Sequence, residues 1–298
     1  GLQPQHLACV HAAAALCGAE VAGARLDSQT LEFRPGRLVA RAHTFAIGTA
    51  GSATLLLQCV LPAFLVARDR STVAVEGGTH NPLAPPFEFF AHALLPLLAR
   101  MGAKVGARLV RPGFHPRGGG RIEVEVDPAP LRPLALTERG ALRGTTVHVV
   151  LARLPRHVAE REVKVLRAAG LPEPLDCRIV ATEESLGPGN AIAVELRSEK
   201  VTEVASAIGA RGVPAEVVAE RAAGEALAYL RHGAPVGAHL ADQLLLPLAV
   251  AGGGVFRTSA PTGHTRTNAA LLEELLAVRV ALREQADGSW IVEVSGRE

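Results

Sequence analysis

Large aromatic side chains are scarce in this sequence: one Trp, one Tyr and eight Phe make up 3% of 298 residues. That excludes an extended platform on which a run of nucleic-acid bases could stack. Lysine is nearly missing too, with Lys104, Lys164 and Lys200 the only ones among 31 basic residues. The arginines that remain suit bidentate contacts to phosphate, although such a bias beside abundant Ala, Gly and Pro also reflects genomic base composition. A net charge of +2 gives no general basic field, which leaves nucleic-acid binding to a local patch. Cys9, Cys17, Cys59 and Cys177 form no CxxC or Cys/His pair, so neither a zinc site nor a disulfide framework is predicted, and a reducing cytoplasm fits. Apolar runs such as 240–250 are broken by Asp, Gln or Pro and fall short of the roughly 20 residues of a membrane span. No secretory segment is read either.

What is present is a globular composition, 48% apolar and 20% charged, enough for one large or two ordinary domains. Periodicity and Gly/Pro punctuation predict helices over 5–17, 53–67, 87–101, 157–169, 214–230 and 268–276. Strands are predicted over 71–76, 104–110, 121–126, 145–151, 178–181 and 191–196, with another around Val255. LLLQCVLP at 55–62 matches LADQLLLP at 240–247, which sets Gln58 on Gln243, a strand on a strand, and His80 within one position of His264. A duplicated α/β unit is the simplest cause. Texture changes between the copies, and the chain divides into 1–140 (first part of a repeat domain), 141–235 (an inserted α/β domain) and 236–298 (last part of the repeat domain).

Among eleven histidines, His264 stands out by context. It lies in PTGHTRTN (261–268), read as a polar loop before a helix, with an Arg for phosphate and a helix N-terminus that favours anions. On residues alone an ordinary structural histidine is the commoner reading. For Gln58 and Gln243, in apolar helices, ligand contact and internal hydrogen bonding explain the amides equally well. Asp242 inside ADQLLLPLAV needs a partner. Arg34, Arg37, Arg41, Arg111, Arg117, Arg121 and Arg266 are candidates for phosphate, and GFHPRGGG reads as a tight turn ahead of the Arg121 strand or as a loop whose amides approach RNA.

FAIGTAGS (45–52), GGTHNPLAPP (77–86), GFHPRGGG (113–120), PRHVAERE (155–162), HLADQ (239–243) and HTRTN (264–268) together resemble the RNA 3'-terminal phosphate cyclase family, in the same order and over essentially the whole chain. The resemblance implies repeated βαβαββ units in a large domain with a smaller inserted α/β domain. It further implies an ATP-dependent enzyme whose His264 carries AMP and uses it to close an RNA 3'-phosphate into a 2',3'-cyclic phosphate. Adenosine contacts carry over to Gln5, Gln58, Pro85, His239, Leu240, Ala241, Asp242 and Gln243. The family places a tyrosine where this chain has His239, opposite the proline, to sandwich the adenine. Mg²⁺ or Mn²⁺ is expected to ride on the ATP phosphates, and no dedicated protein metal site is read. The partners are ATP and RNA with a 3'-terminal phosphate, with no membrane; oligomeric state stays open. The family opens with a Gly-rich loop bearing a glutamate and with further arginines, so the N-terminal part of the first repeat is expected to be absent. Two other classes share features: a non-catalytic cyclase-like protein of ribosome assembly, which lacks the nucleophilic histidine, and the enolpyruvyl transferases, whose signature residues are not evident here.

Overall fold

The computed structural model describes residues 1–39 and 41–296. First come α1 (Pro4–Cys17) and an antiparallel pair, β1 (Glu20–Ala22) and β2 (Glu32–Arg34). β3 (Ala42–Ala46) leads into α2 (Ala53–Leu65) and β4 (Ser71–Gly77). A helical segment follows, made of a π-helical stretch (Phe89–Leu94) and α3 (Leu95–Arg100), then β5 (Lys104–Arg111) and β6 (Gly120–Asp127). β7 (Leu134–Leu136) precedes β8 (Leu142–Ala152), α4 (His157–Ala168), β9 (Leu175–Thr182), β10 (Gly189–Ser198), β11 (Thr202–Ile208) and α5 (Ala215–His232). The chain closes with α6 (Ala238–Val250), β12 (Gly253–Thr258), α7 (Gly263–Leu275), β13 (Val278–Glu284) and β14 (Trp290–Gly296).

Duplication is visible in the strand order. One sheet runs β3-β4-β6-β5 and another β7-β12-β14-β13. In each, the first pair is parallel and the others antiparallel. Both sheets are therefore βαβαββ units; the second is interrupted between β7 and α6. The α1–β1–β2 segment has the order of the closing half of such a unit. The fold is mixed α/β, and among the described residues no helix is long and apolar enough to cross a membrane.

Equivalent helices repeat in detail. α2 and α6 each have 13 residues with a proline at the same place, Pro62 and Pro247. Proline has no N–H, so the carbonyl four residues earlier loses its helical donor, and those residues are Gln58 and Gln243. Ser52 caps α2 by accepting the Leu55 N–H, and one apolar cluster runs from Leu57 and Phe64 of α2 through Phe90 to Leu244 of α6 and Phe256 of β12. The helix expected over 87–101 forms, but six residues of it are π-helical. Pro96 explains this, because it cannot donate to the carbonyl of His92, and the turns widen to bonds such as Leu95 N–H to Phe90 O.

Residues 142–232 carry a sheet of their own, ordered β11-β10-β8-β9. α4 and α5 cover one face with a separate apolar cluster that includes Val147, Val149, Ile192 and Ala222. The other face turns to the π-helical stretch, and Ala193 and Val204 join the main core there. The two crossings into this unit lie side by side on β12. Arg257 donates to Thr137 O (2.8 Å) on the way in and to Gly233 O (3.3 Å) on the way out. Thr258 Oγ1 adds a bond to Val236 O at 2.8 Å.

Candidate functional site

α2 and α6 meet through their repeated faces, and a cleft of about 120 Å³ opens between them, lined by Gln58 and Pro62 on one side and Asp242, Gln243 and Pro247 on the other, with Asn268 of α7 at its edge. The polar groups on the α6 side satisfy one another. Asn268 Nδ2 donates to Asp242 O and Oδ1, both at 3.2 Å, and Gln243 Nε2 donates to Asp242 Oδ2 at 3.3 Å. Gln58 is different: its Nε2 and Oε1 are both buried without a hydrogen-bond partner. Leaving such groups unpaired costs about 1–3 kcal/mol each. Among the described residues, no side-chain or backbone group forms a hydrogen bond with the Gln58 carboxamide.

His264 sits four residues before Asn268, and therefore on the same helical face. The helix expected from 268 begins at Gly263, because Thr262 caps it by accepting the Thr265 N–H at 3.1 Å. His264 is thus in the first turn of α7 rather than in a preceding loop, and it is exposed. First-turn N–H groups have no partner within the helix and carry partial positive charge, which suits an anion beside the imidazole. Two residues on, the Arg266 guanidinium lies 5.1 Å from the Trp290 ring centre. The equivalent histidine of the first unit, His80, has the opposite environment. It is fully buried, bonded to Glu88 at 3.1 Å and Thr79 at 2.8 Å, and stacked 5.2 Å from Phe114.

Gln5 and Pro85 lie at the N-terminal end of α2. Gln5 Nε2 donates to Ser52 O at 3.1 Å while its Oε1 is buried and unpaired, and Thr54 Oγ1 donates to Pro85 O at 2.7 Å. Leu240 and Ala241 turn their side chains into the core, at 0% and 1% exposure, which leaves only their backbone for a ligand. His239 is exposed and lines a second cavity, about 290 Å³, together with Glu203, Glu225 and Tyr229; Pro85 is not part of its wall. The cause is a contact that sequence reasoning missed. Glu203 of β11 accepts the Gly237 N–H at 2.7 Å, drawing the start of α6 against the 142–232 sheet. Burial pushes the Glu203 carboxyl up to about 7.

Three glycine-rich motifs converge next to this region. Ala53 and Gly78 tie the 45–52 loop to the 77–81 loop (Ala53 N–H to Gly78 O and Gly78 N–H to Gly51 O, both 2.7 Å), Asn81 Nδ2 reaches Ala50 O at 2.6 Å, and Thr79 N–H reaches Gly113 O at 2.9 Å. GFHPRGGG is the tight turn of the β5–β6 hairpin: Gly118 and Gly119 have φ of 62° and 67°, values that favour glycine. Three of the candidate phosphate arginines are engaged internally, Arg34 with Glu32, Arg111 with Gly119 O at 2.6 Å, and Arg121 with Glu76 at 2.7 Å and Glu123 at 3.0 Å.

Comparison with known proteins identifies this arrangement. A family profile described as RNA 3'-terminal phosphate cyclase matches residues 1–282. The RNA 3'-terminal phosphate cyclase of Pseudomonas fluorescens is 48% identical over 284 residues, covering 95% of this chain and 83% of its own length. That of Koribacter versatilis is 46% identical over 286 residues (96% and 81%), and that of Salmonella typhimurium 46% over 296 residues (99% and 86%). With a full unit pair, the orphaned Gln58 amide and matches of this extent, the chain belongs to the RNA 3'-terminal phosphate cyclase family.

Proposed function

We propose that the chain converts an RNA 3'-terminal phosphate into a 2',3'-cyclic phosphate at the expense of ATP, with His264 carrying the adenylate. The observation that carries this reading is the pairing of an exposed first-turn imidazole with a neighbouring cleft in which a buried carboxamide has no partner. The donor set of that cleft fits an adenine edge, which offers a donor and an acceptor side by side. Gln58 supplies the matching acceptor and donor, and the Gln58 and Gln243 carbonyls freed by proline supply further acceptors.

His264 attacks with a ring nitrogen: a P–N bond forms to the α-phosphorus as the bond to the bridging oxygen breaks and pyrophosphate leaves. The RNA 3'-phosphate oxygen then takes the adenylate, and the imidazole is freed. Finally the RNA 2'-hydroxyl gives up its proton and closes on the 3'-phosphorus, and AMP leaves with the electrons of the broken P–O bond. Splitting one difficult displacement into transfers through a protein nucleophile is the gain of covalent catalysis. The start of α7 stabilises negative charge beside the ring. Mg²⁺ or Mn²⁺ on the triphosphate would neutralise charge on the leaving group.

Gln58→Leu separates binding from folding. Removing the unpaired amide from an apolar helix is expected to raise stability by about 1 kcal/mol, seen as a higher urea midpoint with unchanged slope. The same change is expected to raise KM for ATP roughly 10–100-fold, the cost of losing one or two ligand hydrogen bonds. A destabilised variant with unchanged KM would show that Gln58 serves the fold alone.

A further inference from the structure

We propose that His92, His148 and Glu195, which lie outside the cleft and outside the reaction above, hold a divalent ion of the zinc class through His92 Nδ1, His148 Nε2 and a Glu195 carboxylate oxygen. They form the one group of three such side chains found among the described residues with ligand atoms within 4.8 Å of one another.

The trio comes from three elements. His148 on β8 stands opposite Ala193 on β10, two residues before Glu195, and side chains two apart on a strand share a face. That face turns to the π-helical stretch, which contributes His92. Both imidazoles direct a nitrogen at the same Glu195 oxygen, His148 Nε2 at 2.7 Å and His92 Nδ1 beside it, with ring centres 5.6 Å apart. Both nitrogens meet that oxygen at hydrogen-bonding distance, and a cation bound by all three groups would move them apart. A tetrahedral zinc about 2.0–2.1 Å from each donor spaces the donors about 3.3 Å apart, a spread reached by small rotations of the three side chains.

Burial and donor chemistry point the same way. The Glu195 side chain is 9% exposed and His148 15%, on a face that carries Val150, Ala193 and Val204 together with Thr146, Ser206 and Arg178. A carboxylate placed there needs a strong counterpart. His92 is 40% exposed and leaves a fourth direction open to water. Two imidazoles and one carboxylate with an open position are the donor set of His₂Glu zinc sites. Mg²⁺ prefers oxygen donors, so this ion is distinct from one bound to a triphosphate. Bound here, it would tie the π-helical stretch to the 142–232 sheet.

Titration of the untagged, metal-stripped full chain with Co²⁺ tests the site. The expected result is one ion per chain with visible d–d bands, displaced by Zn²⁺, retained in excess Mg²⁺, and accompanied by a higher unfolding temperature. Bands of thiolate-to-cobalt charge transfer are not expected; their appearance would place the ion at one of the four free cysteines and overturn the proposal. His92→Ala removes a half-exposed ligand without opening the core. It is expected to weaken Co²⁺ binding by more than the roughly 10–100-fold that loss of a supporting outer partner costs. No stoichiometric binding by the parent, or binding by His92→Ala and Glu195→Gln as tight as the parent's, refutes the assignment and leaves a plain hydrogen-bonded trio.

Discussion

ATP labelled in its α-phosphate is expected to tag the chain, and His264→Asn to lose both the tag and the formation of cyclic ends. Loss of a covalent nucleophile typically lowers turnover by about 10⁴-fold or more, so the variant should fall to the background of the assay. The substitution is informative because it disturbs little else. His264 is exposed and its helix is capped by Thr262, and a surface change of this kind stays within about 0.5 kcal/mol. Thermal unfolding should therefore match that of the parent. Equal labelling of both proteins would remove His264 from the chemistry, whatever the cyclase assay reads.

The second large effect concerns Glu203 and stability against pH. Its carboxyl is 6% exposed, and burial raises it to about 7 from an ordinary 4.5, against the bonds it accepts from Gly237 and Val204. Between those values the unfolded chain loses the proton while the folded chain keeps it. Stability contributed by the protonated group is therefore fully present below about 4.5 and falls away up to about 7, a drop of about 3 kcal/mol. Glu203→Gln has no such ionisation and can still accept one backbone N–H. Less about 1 kcal/mol for the donor left unpaired, the variant should be more stable than the parent by about 2 kcal/mol at pH 8 and no more stable at pH 4. Glu162, raised by burial to about 7, titrates in the same window in both proteins and cancels in the comparison. Parallel stability curves for parent and variant across pH 4–8 would refute the assignment.

Much of this architecture was legible in the sequence, for reasons that particular residues make clear. The Gln58–Pro62 and Gln243–Pro247 spacing exposed the repeat because the same helix face is used twice in one cleft. β7 escaped notice because it is three residues long, too short to show alternation, and its parallel pairing with β12 crosses the whole 142–232 unit. The π-helical stretch was read as ordinary amphipathic helix, since its apolar spacing fits either winding. His264 was read as a loop residue ahead of a helix, but the helix starts a turn earlier than expected, where Thr262 rather than Asn268 sets the boundary. Neither Glu203 against Gly237 nor His92 against Glu195 could be read from spacing. The latter pair is 103 residues apart, and only the packing of one sheet on another element brings them together.

Arg257 touches the segment going into the 142–232 unit at Thr137 and the segment returning from it at Gly233, so the intervening ninety or so residues behave like a cassette seated in a socket. Lengthening a loop whose ends already meet costs little, about 0.6 kcal/mol for each doubling. Such a joint lets the plug-in part change in length while the βαβαββ frame, and the geometry of the groups it carries, stay put.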